Sequence, residues 1–220
     1  MAVEQLFWRA SEPPSPGDRS PLLLLFHGYG SNEGDLLALA PLLPGFRLVS
    51  ARGPLELGPG AYAWFDLGGP TLEIDPGSFL ESLQRAEALL DDLSARYACE
   101  PHRLVVGGFS QGAMLAAALA LRQPARVGAL LMMSGRLPPE SLVRPADAGG
   151  TGRPLAGLEA MITHGRADPL IPPADAEAAR DRLQALGAHV TLRLYEMGHQ
   201  LSGEAAEAVS AWLRTLREMA

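Results

Sequence analysis

The segment Leu104-Val-Val-Gly-Gly-Phe-Ser-Gln-Gly-Ala-Met-Leu-Ala-Ala-Ala-Leu-Ala-Leu121 joins a strand-like run directly to a helix-like one. Residues Arg103–Phe109 predict a buried strand, and Gln111–Leu121, apolar on nearly every side, predicts a deeply buried helix. Between them Ser110 completes the pattern Gly-x-Ser-x-Gly. A sharp strand-to-helix turn would lift its hydroxyl above a sheet, with glycines avoiding collisions. The alternative is a serine in an ordinary turn.

Short apolar runs alternate with segments of helical period along the rest of the chain, which is typical of an α/β fold. Most runs are continuously apolar, as expected of parallel strands covered by helices on both faces. We expect strands at Leu22–His27, Arg47–Ala51, Arg103–Phe109, Val127–Met133, Leu158–His164 and Val190–Tyr195, with an antiparallel edge strand at Val3–Ala10. Such alternation predicts a mostly parallel sheet.

Helical segments connect these runs. Ser78–Tyr97 opens with Ser78-Phe-Leu-Glu81, a capping-box pattern, and its apolar positions form one stripe. Further helices are expected around Asp35–Leu43, at Ala174–Leu186 and from Glu204 to about Glu218. The Pro- and Gly-rich stretch 137–154 is interpreted as a long loop, so residues 1–220 are expected to form a single domain.

Composition excludes several classes of protein. The 220 residues are 47% hydrophobic and 20% charged, which is globular composition. A net charge of −7 disfavours a nucleic-acid partner. No secretory signal is recognised and Leu22–Phe26 is too short to span a bilayer, so we expect no stable membrane anchor and a cytoplasmic protein. Cys99, the one cysteine, cannot form an internal disulfide and is interpreted as a small apolar residue rather than a reactive thiol.

A serine hydroxyl becomes a nucleophile only when a base takes its proton, and histidine suits that role. His199 lies in a loop beyond the last predicted strand and before the last helix. Loops at the carboxyl ends of parallel strands meet at one edge of the sheet, so His199 is the predicted base. The other histidines lie next to strand ends or starts: His27, His102, His164 and His189.

The third member of such a triad is an acid that orients the imidazole. Asp168 follows the predicted strand 158–164, and Pro169 stiffens its loop. Three other carboxylates compete: Asp147 in the long loop, Asp175 at a helix start and Glu196 behind a strand end. Asp168 is preferred.

Two further segments are candidates for binding. The glycine-rich loop after residue 27 predicts that the Tyr29 N–H, together with the Gln111 N–H, forms an oxyanion hole, unless it merely connects strand and helix. Residues 55–74 carry aromatic side chains without a clear period. Trp64 and Phe65 are therefore either substrate-binding residues or anchors of this loop in the core.

Together these motifs resemble the α/β-hydrolase superfamily, and within it the phospholipase/carboxylesterase family that includes acyl-protein thioesterases. The matching segments are His27-Gly28-Tyr29-Gly30, Trp64-Phe65-Asp66, Gly107-Gly-Phe-Ser-Gln-Gly112, His164-Gly-x-x-Asp168 and Gly198-His199. The resemblance implies Ser110 as nucleophile, Asp168 as acid and His199 as base, in the chain order of the superfamily. The sheet should have about seven strands, with no separate cap domain. Position 29 is tyrosine where relatives commonly have leucine, which would narrow the acyl pocket.

The resemblance implies hydrolysis of a small acyl ester, or thioester, through an acyl-enzyme on Ser110. We expect short to medium acyl chains, no cofactor, no metal, and a homodimer as the assembly that suits the family. The alternatives are a lactone hydrolase or small peptidase on the same scaffold, or a binding module without catalysis.

Overall fold

The computed structural model describes residues 4–11, 20–43, 45–69, 73–146, 150 and 152–219. The strands are β1 (Trp8–Ala10), β2 (Leu22–Phe26), β3 (Arg47–Ala51), β4 (Leu55–Gly58), β5 (Ala61–Ala63), β6 (Leu67–Gly68), β7 (Glu73–Ile74), β8 (Leu104–Phe109), β9 (Ala129–Met133), β10 (Glu159–Gly165) and β11 (His189–Tyr195). The helices are α1 (Glu33–Leu37), α2 (Pro76–Arg96), α3 (Gln111–Arg122), α4 (Pro173–Ala185) and α5 (Gly203–Met219), with 3-10 turns at Ala40–Leu42 and Pro101–Arg103.

Seven strands form the central sheet in the order β1-β3-β2-β8-β9-β10-β11. β1 runs antiparallel to β3, and all other neighbours are parallel. The predicted mostly parallel, seven-stranded sheet is therefore confirmed. From β2 the chain winds outward to β3 and later returns to place β8 on the other side of β2. In open α/β sheets a ligand crevice lies at such a reversal, outside the carboxyl ends of the strands.

Helices cover both faces of this sheet. α2, α3 and α4 pack on one face, against strand residues such as Leu24 and Ile162. α1 and α5 pack on the other face, against residues such as Leu25 and Leu131. Because both faces are covered, neighbouring strand residues are buried alternately in the two layers, which explains the continuously apolar runs.

Helix α3 is the deeply buried helix that the sequence predicts, since every residue in 111–121 is buried. It lies against β2, β8 and β9. Its alanine-rich surface allows the helix backbone to come close to the sheet, so the first turn of α3 is fixed relative to the carboxyl ends of β2 and β8.

Two expected helix boundaries are wrong. α2 begins at Pro76, because Asp75 caps the helix by accepting the Ser78 N–H at 2.8 Å. An aspartate followed by proline matches the preferences of the N-cap and the first helical position better than Ser78 does. The helix expected around Asp35–Leu43 is split into α1 and a 3-10 turn, and Pro41 within that turn has no N–H to continue an α-helical ladder.

The outer segments also differ in detail. The edge strand is limited to β1, and Val3 lies outside the described residues. Within the predicted loop 55–74, β4 and β5 form a short antiparallel hairpin, and β6 pairs antiparallel with β7. In the described ranges the helices and strands form one layered unit, and no separate cap domain is present. No helix there combines the length and apolar character needed to cross a membrane.

Candidate active site

Ser110 occupies the sharp turn between β8 and α3. Its backbone has φ 53° and ψ −114°, a conformation that residues other than glycine rarely adopt. The strained turn is held by a hydrogen bond from the Ser110 N–H to the Met133 carbonyl at 2.8 Å. The hydroxyl therefore stands at the carboxyl edge of the sheet, as the Gly-x-Ser-x-Gly pattern predicts.

The two glycines of the pattern are required by close backbone packing. A Cβ atom at Gly112 would lie 2.0 Å from the Phe26 carbonyl oxygen, and one at Gly108 would lie 2.4 Å from the backbone of Gly112. Neither position has room for a side chain, because backbone atoms cannot move aside cheaply. The glycines thus allow α3 to start directly above the ends of β2 and β8.

His199 follows β11, and Asp168 follows β10, in neighbouring loops. The loops meet at Gly165, where a Cβ atom would lie 2.3 Å from the carbonyl oxygens of Met197 and Gly198. The Ala167 N–H also donates to the Met197 carbonyl at 3.2 Å. Close backbone contact between the two loops brings the side chains at 168 and 199 together.

The three predicted triad residues are in hydrogen-bond contact. The Ser110 Oγ and His199 Nε2 atoms are 2.8 Å apart, and His199 Nδ1 is 2.7 Å from Asp168 Oδ2. The ring of Phe109 packs against the imidazole of His199, with centroids 5.1 Å apart. The imidazole is therefore oriented by a carboxylate on one side and an aromatic ring on another, with its Nε2 towards the serine.

The carboxylate of Asp168 is buried, and N–H groups of the protein donate hydrogen bonds to it. Its Oδ1 accepts the N–H groups of Leu170 at 2.9 Å and Ile171 at 3.0 Å. Burial raises the pKa of this carboxyl, but the hydrogen bonds from Ile171, His199 and Leu170 together outweigh burial and lower it. Asp168 is thus held as an anion, which is what a partner of an imidazolium requires.

The competing carboxylates lie elsewhere. Glu196 pairs with Arg166 at the surface, with the charged atoms 3.1 Å apart. Asp175 is in the first turn of α4 and borders the cavity described below, whereas the carboxylate bonded to His199 is that of Asp168. Asp147 lies outside the described residues. The structure thus places Asp168 alone, among the candidates it describes, against the imidazole.

His27 braces the loop after β2 instead of facing Ser110. Its Nδ1 donates to the Gly28 carbonyl at 2.7 Å, and its Nε2 accepts the Gly53 N–H at 2.9 Å. Burial lowers the pKa of His27 and outweighs the hydrogen bond to Gly28. A neutral imidazole is required here, because one ring nitrogen must accept a hydrogen bond.

The predicted oxyanion donors lie on either side of the serine. Tyr29 is in the turn after β2, where the Gly30 N–H is fixed by the Tyr62 carbonyl at 2.8 Å. Gln111 is the first residue of α3, where backbone N–H groups lack helical partners. In the part of the chain that the structure describes, neither the Tyr29 nor the Gln111 N–H has a protein acceptor. Both residues border the same cavity as Ser110.

The phospholipase/carboxylesterase family model matches residues 14–217. The chain belongs to the phospholipase/carboxylesterase family. It is 28% identical to esterase YpfH of Escherichia coli over 215 residues, covering 92% of this chain and 84% of that protein. It is 27% identical to acyl-protein thioesterase 1 of Eremothecium gossypii over 208 residues, covering 87% and 86% of the two chains.

Solved structures agree with the family assignment. The crystal structure of the Bacillus cereus carboxylesterase matches with a TM-score of 0.82 at 25% identity, covering 96% of this chain and 94% of that one. The α/β-hydrolase fold and the resemblance drawn from the motifs are confirmed. This member of the phospholipase/carboxylesterase family is an esterase-type hydrolase.

In this family member, Trp64 and Phe65 are core residues. Both side chains are 0% exposed and belong to the main hydrophobic core, and neither lines the cavity at Ser110. This placement favours the alternative interpretation, a loop that anchors its aromatic residues in the core, over a contact of Trp64 and Phe65 with substrate. The aromatic residues lack a period because Trp64 and Phe65 lie in the bend between β5 and β6 and not in one regular strand.

The Gln111 side chain has a role that sequence reasoning missed. Its Oε1 accepts the Trp64 N–H at 2.8 Å, and its Nε2 donates to the Phe65 carbonyl at 2.6 Å. The Trp64 indole also donates to the His27 carbonyl at 2.9 Å. Gln111 thus ties the core-anchored loop to the start of α3, beside the serine.

A cavity of about 500 Å³ opens beside Ser110. Its wall is mostly apolar and consists of Leu67, Met114, Leu170, Ile171 and Pro172, with Tyr29, Gln111, Arg136 and Asp175 as polar members. Sequence reasoning missed most of this wall. The available signal was position: Met114 lies one helical turn after Ser110, and residues 170–172 directly follow Asp168.

Within the described ranges, no group of three or more His, Cys, Asp or Glu side chains is arranged to hold a metal ion. The expectation that the enzyme needs no metal or cofactor stays a prediction.

Proposed function

We propose that this enzyme cleaves carboxylic esters, and thioesters, of short- to medium-chain acyl groups through an acyl-enzyme on Ser110. The observation that carries the proposal is the hydrogen-bonded chain from Ser110 through His199 to Asp168, with distances of 2.8 and 2.7 Å. Such a chain converts a weakly nucleophilic hydroxyl into one that can attack a carbonyl carbon.

In the first step Ser110 Oγ forms a bond to the carbonyl carbon while His199 Nε2 takes the hydroxyl proton. Asp168 accepts the Nδ1–H and stabilises the imidazolium. Its lowered pKa supports this role, because the carboxyl stays ionised across the neutral range. The tetrahedral intermediate then collapses, and the alcohol or thiol leaves with the proton from Nε2.

The negative oxygen of the tetrahedral intermediate needs donors, and we assign them to the N–H groups of Tyr29 and Gln111. Both lack a protein acceptor among the described residues, so they are available to the oxyanion. Each such donor typically contributes about 10²- to 10³-fold in rate. Since backbone dipoles polarise the carbonyl, the proposal calls for no cofactor.

Water completes the cycle. His199 removes a proton from a water molecule, which attacks the acyl carbon, and the Ser110 oxygen then leaves with that proton. The apolar wall of the cavity suits an acyl chain, and a volume of about 500 Å³ suits a short or medium one. The small ester as partner, the cytoplasmic location and the homodimer remain predictions from the sequence.

Labelling with a fluorophosphonate tests the proposed function. The probe should form one covalent adduct, at Ser110, which peptide mass spectrometry locates. Ser110→Ala should abolish the adduct and lower kcat for p-nitrophenyl and thioester substrates by about 10⁴- to 10⁶-fold. Ser94→Ala, which changes a serine on α2, is the matched control and should behave as the unmodified enzyme.

The proposal would be abandoned if Ser110 is not labelled in a folded, monodisperse sample, or if Ser110→Ala retains turnover. Labelling at Ser110 without turnover of any ester or thioester would favour the binding-module alternative.

A further inference from the structure

His164 is a buried histidine that the mechanism above does not use. It lies near the end of β10, and its side chain is 0% exposed. Its Nε2 is 2.8 Å from the Ile171 carbonyl oxygen and 3.4 Å from Asp168 Oδ2. Its Nδ1 is buried and has no hydrogen-bond partner in the described part of the chain. A buried polar group with such a one-sided set of contacts calls for an explanation.

The contact with Ile171 determines where one proton of the His164 ring lies. A carbonyl oxygen only accepts hydrogen bonds, so His164 Nε2 must carry the proton and donate it to Ile171. The same nitrogen lies 3.4 Å from Asp168 Oδ2, the oxygen that also accepts from His199 Nδ1.

The Nε2–H of His164 completes a set of hydrogen bonds around Asp168. Asp168 Oδ1 accepts the N–H groups of Leu170 and Ile171, and the Ile171 carbonyl in turn accepts from His164. The turn 168–171 is therefore tied to itself through the carboxylate and to β10 through His164. Because Leu170 and Ile171 line the cavity, the same turn supports the acid and part of the cavity wall.

We infer that His164 is a positioning residue for the reaction: its Nε2–H holds the turn 168–171 so that Asp168 Oδ2 points at His199. This inference rests on the proposed function. It predicts that the position of the donor matters, and not merely the presence of a polar side chain of similar size.

Two amide substitutions separate these requirements. His164→Gln can place an N–H₂ group near the position of Nε2, whereas the shorter His164→Asn places it near Nδ1. We expect His164→Asn to lower kcat by about 10- to 100-fold, since small misplacements of catalytic groups have effects of that size, with KM changed less than threefold. His164→Gln should stay within about fivefold of the unmodified enzyme.

Proton NMR supplies a readout that packing alone would not move. The far-downfield resonance of the His199 Nδ1–H to Asp168 hydrogen bond should persist in His164→Gln and shift or broaden in His164→Asn. Equal kcat in the two variants, or an unchanged resonance in His164→Asn, would overturn the inference.

A measurement on the unmodified enzyme covers the case in which His164→Asn does not fold. In ¹⁵N-histidine-labelled protein, His164 Nε2 should carry a proton; an Nε2 without a proton would refute the inference. Failure of the proposed function is seen separately, as absence of fluorophosphonate labelling at Ser110 in the unmodified enzyme.

Discussion

Tyr29 is 55% exposed although it borders the cavity beside Ser110. Leu170, which lines the same cavity, is 56% exposed. Exposed apolar surface at a cavity is typical of a ligand-binding site. The backbone of Tyr29 is the proposed oxyanion donor and the residue borders the cavity, so we expect its side chain to limit the space for the acyl group.

Replacing Tyr29 by leucine should therefore change acyl-chain preference and leave the oxyanion donor in place. In a series of p-nitrophenyl esters, the unmodified enzyme should turn over short or medium chains best. Tyr29→Leu should raise the ratio of kcat/KM for long over short chains by about tenfold, the order expected for a change of a few methylenes in a pocket.

Leu80→Ala, which alters an exposed leucine on α2, is the control and should leave the ratio unchanged. Maximal turnover of long chains by the unmodified enzyme would contradict the short-chain proposal, and an unchanged ratio in Tyr29→Leu would exclude a role for the ring.

Among single residues, the sequence predicts the proposed catalytic side chains but not the residues that line the cavity. Ser110, Asp168 and His199 are predictable because each follows a strand that the hydrophobic pattern identifies, and parallel strands bring such positions to one edge. Trp64 and Phe65 are not, because an aromatic residue in an irregular segment is equally compatible with a pocket and with a core. Only the packing against α2 and α3 distinguishes the two.

Among the elements, α3 depends on the contact of Gly112 with β2. Gly112→Ala would place a Cβ atom 2.0 Å from the Phe26 carbonyl oxygen, so the start of α3 must move away from the sheet. We expect a loss of about 3 kcal/mol or more in the free energy of unfolding, measured by urea denaturation, because backbone atoms cannot repack. Activity should fall further than stability explains, since the same shift moves the Gln111 N–H and Ser110.

Gly203→Ala is the matched control, because a Cβ atom at the first residue of α5 meets nothing within 4 Å. It should change stability by no more than about 0.5 kcal/mol. If Gly112→Ala unfolds at the same urea concentration as the unmodified protein, the close approach is not essential to the fold.

Element boundaries show where sequence reasoning ends. The strands of the sheet are predicted to within two residues because burial on both faces leaves a continuous apolar signal, except at the short edge strand β1. The start of α2 is missed because both Asp75 and Ser78 are acceptable N-caps, and the choice depends on which carboxylate or hydroxyl meets a free N–H. Local chemistry offers both solutions, and tertiary packing selects one.

For the whole molecule, the buried state of His27 links stability to pH. Burial lowers the pKa of His27 in the folded protein, while in the unfolded chain it has its ordinary value of about 6.5. Below that pH His27 binds a proton in the unfolded chain, whereas in the folded protein it stays unprotonated until the pH falls further. Stability is therefore fully present above about pH 6.5 and decreases as the pH falls towards the folded pKa.

His27→Gln removes this proton and should flatten the decrease in unfolding free energy between about pH 6.5 and 5, measured by urea denaturation at several pH values. Carboxyl groups with lowered pKa values, such as Asp168 and Glu33, lose their contribution at lower pH, from about 4 downwards, so they do not obscure this range. Leu83→Ala, a truncation in the same core, is the control: it should lower stability by about 2–5 kcal/mol at every pH and keep the slope. An identical pH dependence of unfolding free energy in His27→Gln and the unmodified protein would contradict this prediction. It would mean that His27 binds its proton equally in the folded and unfolded states. That requires an exposed imidazole, so the loop after β2 would have to open before the molecule unfolds.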